Sequence, residues 1–144
     1  MDANVIRLGR RAVAYKSWRW IVGMTALIYD DFFQEWQPLH QRIGNEACIE
    51  WINKNEGILE IIPDFRDLAT KGCLLGLVRM IWNDPGLCTR AYPINAGEIV
   101  PRSHIVHEWV LQSGLPHGRN FERVSMKSSS SEVEALVRAI ELTR

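Results

Sequence analysis

The sequence has no excess of charge of either sign, since its 144 residues contain 17 Lys and Arg against 17 Asp and Glu. A strongly basic nucleic-acid binder and an acidic solubilising tail are therefore disfavoured, although a local charged patch is not. Paired cysteines are also lacking, because the three cysteines are odd in number and form no C-x-x-C motif. Neither a disulfide framework nor a zinc ribbon is indicated, and a reduced, cytosolic setting is expected.

Long apolar runs and common catalytic motifs are absent too. The longest apolar stretch covers ten residues, Trp20 to Tyr29, which is too short to span a bilayer. Trp18-Arg19-Trp20 interrupts the run that a signal peptide would need, so none is expected. There is no phosphate loop, no G-x-S-x-G elbow and no dinucleotide-binding fingerprint. We therefore expect no catalytic site and no cofactor.

Three histidines near the carboxyl-terminal third are candidates for a metal site. On a helix, His104 and His107 could share a metal ion, with His117 nearby. The order H-x-x-H-E matches neither H-E-x-x-H nor H-x-x-E-H, and on a strand the first two histidines would point to opposite faces. The sequence therefore favours no metal site.

Two acids and a cysteine surround the start of a predicted helix. Asp64 and Asp67 are explained by capping and by the helix dipole, with a magnesium or general-base site as the alternative. Cys73 lies early in the same helix, where the dipole could lower the pKa of its thiol. A packed position beside Leu74 is the favoured interpretation of Cys73.

The zero net charge conceals a basic end and an acidic middle. Residues 1–20 contain five basic residues and one acidic residue, whereas residues 30–67 contain nine acidic and three basic residues. Either these two segments approach each other in the fold, or they form two separate binding faces.

Hydrophobic periodicity predicts three helices and about four strands. Asp67 is the expected N-cap of the central helix, and Ser131 with Glu134 forms a capping box for the last one. Residues 83–103 contain three prolines and little periodicity, so a long irregular segment is expected there. The predicted helices cover about 4–16, 68–82 and 132–142, and the strands about 25–29, 58–62, 105–111 and 121–127; residues 46–53 fit either a strand or a helical turn.

This order of elements predicts a single domain, residues 1–144, of the α+β class. An antiparallel sheet of about four strands is expected, with the helices packed on it as a two-layer or α-β-α sandwich. The segments 105–111 and 121–127 are expected to form a hairpin within that sheet.

The central helix and its flanks contain a motif that runs from Pro63 to Pro85. The sequence resembles the pattern L-P-D-x-x-D-P-A-T-x-G-C-L-L-x-L-V-R-E-x-W-x-D-P of small bacteriophage and prophage proteins. It departs from that pattern at Ile62, where the pattern has leucine, at Leu68, where it has proline, and in the long segment 86–103. The resemblance extends to Trp18-Arg19-Trp20 and to the final helix, and covers about three-fifths of the chain. The matching residues are Pro63, Asp64, Asp67, Ala69, Thr70, Gly72 to Leu75, Leu77 to Arg79, Trp82, Asp84 and Pro85.

The resemblance implies a phage-encoded protein in the cytosol of a bacterial host. Its family has no assigned activity, so the match implies no catalytic residues. Looser similarity to phage α-β-α sandwich domains agrees with the predicted fold class. Trp18, Trp20 and Trp82 belong to the shared pattern, which indicates structural roles for them.

Two binding hypotheses remain. The first is protein–protein binding through Trp36, Trp51 and Trp109, which lie outside the shared pattern. The alternative interpretation of these three tryptophans is that they are core residues. With a phage setting, it predicts an accessory protein that binds a host or phage protein, with inhibition of a bacterial defence system as one form. The second is single-stranded nucleic-acid binding, in which cations alternate with aromatics: Arg7, Arg10, Arg11, Lys16, Trp18 and Arg19.

Overall fold

The structure, a computed structural model, describes residues 2–93, 99, 101, 107–116 and 131–143. Its contacts divide the chain into two compact units, a first unit of residues 1–77 and a second unit of residues 78–144. The described elements are α1 (Ala3–Val13), β1 (Ala26–Asp30), β2 (Glu35–Pro38), α2 (Glu46–Asn55), β3 (Ile61–Pro63), α3 (Leu68–Ile81), β4 (Cys88–Pro93), β5 (His107–Gln112) and α4 (Glu132–Glu141).

The fold class is α+β, as the sequence predicted. The expected sheet of about four strands is instead two antiparallel sheets among the described residues, one of three strands and one of two. None of the described helices is long and apolar enough to cross a membrane.

In the first unit, β1 lies between β2 and β3, and helix α1 packs on β3. Val5 of the helix meets Leu27 and Ile62 of the strands in one buried cluster. Gly9 allows the close approach, because a Cβ atom there would lie 3.0 Å from the Cβ of Ile62 and 3.3 Å from the carbonyl oxygen of Pro63. The glycine that weakens α1 as an isolated helix therefore serves its packing.

The ambiguous segment 46–53 is helical and belongs to α2. The Asn45 side chain caps this helix by accepting a hydrogen bond of 3.0 Å from the backbone N–H of Cys48. Ile52 is the only fully buried residue of the helix. Because one buried position gives little periodicity, the sequence pattern could not distinguish a helix from a strand here.

A polar network fixes the start of α3, where the expected cap is confirmed. The carboxylate of Asp67 accepts hydrogen bonds from the backbone N–H of Thr70, at 2.9 Å, and from its hydroxyl, at 2.7 Å. The Thr70 hydroxyl oxygen in turn accepts from the N–H of Thr25, at 2.9 Å. Thr70 is fully buried, so this network connects the start of β1 to α3 without leaving its donors unpaired.

Helix α3 ends in a Schellman motif, which explains the Asn-Asp-Pro-Gly stop in the sequence. Asn83 has a left-handed φ of 49°, and its N–H donates to the carbonyl of Met80 at 3.2 Å. The N–H of Asp84 donates to the carbonyl of Arg79 at 2.9 Å. These are the two bonds that define the motif.

The second unit also contains β4, β5 and α4. The prediction of an irregular segment over 83–103 is wrong for Cys88–Pro93, which forms β4 and pairs with β5. Strand β5 confirms most of the predicted strand 105–111, but its described partner is β4; the predicted partner 121–127 lies outside the described residues. Helix α4 packs on both strands, and its Ser131 cap accepts from the N–H of Glu134 at 3.1 Å, as predicted.

Asp84 is a fully buried carboxylate in the second unit. It accepts a hydrogen bond from the Ser113 hydroxyl at 2.6 Å and another from the N–H of Gly114 at 3.1 Å. Trp82, one of the motif tryptophans, donates its indole N–H to the carbonyl of Ala139 at 3.1 Å. The aspartate and the tryptophan of the W-x-D-P motif therefore have structural roles.

Candidate functional site

The tight turn between β1 and β2 presents two phenylalanines to solvent. Asp30 pairs with Glu35 across the strands, and one oxygen of its carboxylate accepts from the N–H groups of Phe32, at 2.9 Å, and Phe33, at 3.3 Å. Gln34 completes the turn with a left-handed φ of 53°. Phe32 is 86% and Phe33 64% exposed, and their rings meet edge to face at 4.9 Å. The turn geometry thus holds both rings away from the core.

These phenylalanines border a groove of about 700 Å³ that we call the aromatic groove. Strands β1 and β2, the segment after β2 and helix α2 all contribute to it. Its volume is within the range of pockets that hold ligands or anchoring side chains. Its apolar lining residues are Ile28, Tyr29, Phe32, Phe33, Pro38, Leu39, Trp51 and Leu59, and its polar lining residues are Asp30, Asp31, Gln37 and His40.

Trp51 reaches the aromatic groove from α2 and remains 44% exposed. Its neighbour Ile52 is completely buried, which fixes the rotation of the helix and turns Trp51 outward. Trp51 also lines an adjoining hollow of about 290 Å³ with Leu39, His40 and Cys48. The groove and the hollow therefore adjoin and share Leu39, His40 and Trp51.

Trp36, the second predicted anchor, lies outside the lining of the aromatic groove and packs on the core. It is half-buried against the cluster of Val5, Leu27 and Ile62. The centroid of its ring lies 5.3 Å from that of Tyr29. The guanidinium of Arg10 lies over the Trp36 ring, 5.7 Å from its centroid. Trp36 is therefore a packing residue, so of the two predicted anchors in the first unit only Trp51 lines the groove.

Trp109, the third predicted anchor, belongs to the second unit. It lies on β5 opposite Ala91 and is half-buried. Phe32 and Phe33 were not among the predicted anchors, although the sequence Asp-Asp-Phe-Phe ahead of Gln34 carries a usable signal. Aspartates favour turns, and connecting turns run over the protein surface, where their side chains are exposed.

The basic residues of α1 form a separate face. Arg7, Arg10 and Arg11 line a hollow of about 470 Å³ together with Ala3 and Ile6. Arg10 forms an ion pair with Glu60, so the basic end and the acidic middle do approach each other here. Arg7 donates to the side chain of Asn4 at 2.6 Å.

The remaining members of the predicted nucleic-acid site are arranged differently. Lys16 is exposed, but the Arg19 side chain folds back and donates to the carbonyls of Lys16, at 2.6 Å, and Trp18, at 2.7 Å. Trp18 is only 7% exposed and packs edge to face against Trp20 and Phe65. Because its ring is part of the core, Trp18 offers little exposed surface on which a base could stack, which agrees with the structural role that the shared pattern indicates.

The two acids and the cysteine around α3 also have structural partners. Asp64 pairs with Arg66 at 2.9 Å, and Asp67 pairs with Arg42 at 2.6 Å. Hydrogen bonds from Arg42 and Thr70 hold the pKa of the Asp67 carboxyl well below its ordinary value. Burial raises the pKa of the Cys73 thiol, which favours the packed position over the alternative in which the helix dipole lowers that pKa.

The predicted histidine cluster is only partly covered by the structure. His104 and His117 lie outside the described residues, and His107 is exposed on β5. Within the described parts of the chain, no three His, Cys, Asp or Glu side chains come close enough to hold a metal ion.

Comparisons with known proteins leave the geometry as the main guide to function. No family model matches the chain, and searches of the curated proteins and of the solved structures found no match either.

Proposed function

We propose that this protein acts by binding another protein through the aromatic groove. The supporting observation is the exposure of Phe32, at 86%, and Phe33, at 64%, beside Trp51 around one concave surface. Contiguous exposed aromatic residues are costly in water and mark interaction sites on folded proteins. Tryptophan is enriched among the residues that contribute most to binding at interfaces.

The setting of this binding rests on the sequence resemblance to small phage and prophage proteins. We propose a host or phage protein as the partner, in the cytosol of a bacterial host. Inhibition of a bacterial defence system is the more specific form of this proposal.

Site-specific photo-crosslinking in bacterial cells tests the proposal. A photoreactive phenylalanine analogue replaces Phe32, and a matched control carries it at Leu68, which is 80% exposed and lies outside the groove. We expect a discrete crosslinked protein from position 32 that is lost when Trp51 is changed to Ser. Identical products from positions 32 and 68, or products unaffected by Trp51→Ser, would overturn the proposal.

Single-stranded nucleic-acid binding is the second candidate, favoured by the convergence of Arg7, Arg10 and Arg11 on one hollow. Burial of Trp18 removes one stacking platform from it. If it holds, oligonucleotide affinity falls steeply with salt and is lost in the double variant Arg7→Glu/Arg11→Glu. Equal binding by wild type and that variant at low salt would exclude the α1 face as the site.

A further inference from the structure

We infer that the aromatic groove receives a basic and apolar segment of the partner protein, in which Arg or Lys alternates with bulky apolar side chains. This inference rests on the proposed function, because it names the chemistry of the occupant of that groove.

Charge is the first observation that carries the inference. The carboxylates of Asp30 and Asp31 line the groove, and none of its described lining residues is Lys or Arg. Residues 28–60, which form the groove, contain seven acids but only two basic residues, Arg42 and Lys54. Arg42 is already paired with Asp67 and Glu60 with Arg10, which leaves six of these acids and Lys54 outside the two ion pairs. An approaching cation is therefore attracted, and an acidic segment is repelled.

The aromatic rings provide the second observation. A cation gains energy over the face of an aromatic ring, and arginine does so most often because its guanidinium is planar and weakly hydrated. Phe32, Phe33 and Trp51 supply three such rings in the same groove as the two carboxylates. The same rings gain further free energy when apolar side chains cover them. A partner segment with charged side chains alone would leave much of this aromatic surface in contact with water.

An internal arginine already uses this chemistry on the neighbouring surface. Arg10 lies 5.7 Å from the ring centroid of Trp36 while its guanidinium pairs with the carboxylate of Glu60. One cation is thus held between an aromatic ring and an acid. The groove also contains an acid, Asp31, beside aromatic residues, and none of its described lining residues is a cation, so there the cation must come from outside.

Titration with designed peptides tests the inference. Three peptides of equal length alternate Leu with Arg, Leu with Glu, and Ser with Arg, and binding is followed by amide and indole NMR shifts of the full chain. We expect the Leu/Arg peptide to shift Phe32, Phe33 and the Trp51 indole, with an affinity at least about tenfold above that of the other two peptides.

A charge-reversal variant supplies the second arm. Asp31 is changed to Lys, while Asp30 is kept because its carboxylate holds the turn. We expect Asp31→Lys to lower the affinity for the Leu/Arg peptide and to raise the affinity for the Leu/Glu peptide. The control Leu68→Lys adds a cation outside the groove and should change neither affinity by more than about twofold.

The outcomes separate this inference from the proposed function. Equal affinities for the Leu/Arg and Leu/Glu peptides, or an unchanged affinity of Asp31→Lys for the Leu/Arg peptide, would overturn the inference of a basic occupant. The proposal that the groove binds a protein would still stand. Concentration-dependent shifts of the same resonances without any peptide would identify a second copy of the chain as the occupant and would also overturn it. Failure of the proposed function itself is seen in the crosslinking experiment, which uses no peptide.

Discussion

The guanidinium of Arg42 holds the carboxylate of Asp67 through two hydrogen bonds, of 2.6 and 3.0 Å. The same guanidinium donates a third, of 2.7 Å, to the carbonyl of Gly23. Asp67 meanwhile caps α3 through Thr70. One ion pair therefore joins three separate parts of the first unit, although both partners are distant in sequence.

This pair makes stability depend on pH in acid. The pKa of Asp67 is lowered in the folded protein, so its contribution to stability is complete above the unfolded pKa of about 3.9 and is lost as the pH falls below it. In a double-mutant cycle with Arg42→Gln and Asp67→Asn, we expect a stabilising coupling near neutral pH that shrinks below about pH 3. Urea unfolding at the two pH values measures it, and an equal coupling at both would contradict the assignment.

Two helical glycines should respond oppositely to alanine. Gly9→Ala places a Cβ atom 3.0 Å from Ile62 and should destabilise the protein by about 1–3 kcal/mol. Gly72→Ala adds a methyl group to α3 where no atom lies within 4 Å, and should stabilise it by about 1 kcal/mol. Chemical denaturation compares the two variants. If Gly9→Ala stabilised the protein, α1 and β3 would have to lie farther apart than the structure places them.

Loss of the buried carboxylate of Asp84 should lower the free energy of unfolding more than loss of the Ser113 hydroxyl that it binds. Asp84→Ala leaves the Ser113 hydroxyl and the Gly114 N–H without their acceptor, at an expected cost of about 2–4 kcal/mol. Ser113→Ala removes one of these bonds and should cost about 1 kcal/mol. Thermal unfolding followed by circular dichroism distinguishes them. Equal costs would mean that the Gly114 contact contributes nothing.

The neighbouring tryptophans Trp18 and Trp20 differ in one hydrogen bond. The indole N–H of Trp20 donates to Glu56 at 2.7 Å, whereas that of Trp18 is buried and has no partner in the described part of the chain. Both changes to Phe remove similar volume, so Trp20→Phe should cost about 1 kcal/mol more than Trp18→Phe. The free energies of unfolding in urea test this order, and the reverse order would contradict the hydrogen-bond assignment.

Local sequence signals predicted α3 and α4 well because each carries its own periodicity and cap. Asp67 and Ser131 accept the expected amide bonds, and Asn83 ends α3 as its position suggests. Strand β4 was missed because Cys88–Pro93 is exposed over most of its length and gains its structure by pairing with β5. Such non-local pairing leaves little trace in a short window of sequence.

The candidate site was predicted only in part. Trp51 is exposed, whereas Trp36, a residue of the same type, packs on the core. Phe32 and Phe33 are residue types that are common in cores, but the turn that the Asp30 carboxylate and Gln34 shape leaves them exposed. Distinguishing these cases requires the tertiary positions of β1, β2 and α2, which composition and periodicity do not contain.

The central claim is that the exposed phenylalanines are binding residues with no role in stability. The measurement that tests it most directly is the affinity of the purified crosslinked partner for wild type, Phe32→Ser/Phe33→Ser and the control Leu68→Ser. Because all three side chains are mostly exposed, we expect unfolding free energies within about 0.5 kcal/mol of wild type. The double phenylalanine variant should lose about thirtyfold or more in affinity while the control loses none. Unchanged affinity in the double variant, with the fold intact, would contradict the claim.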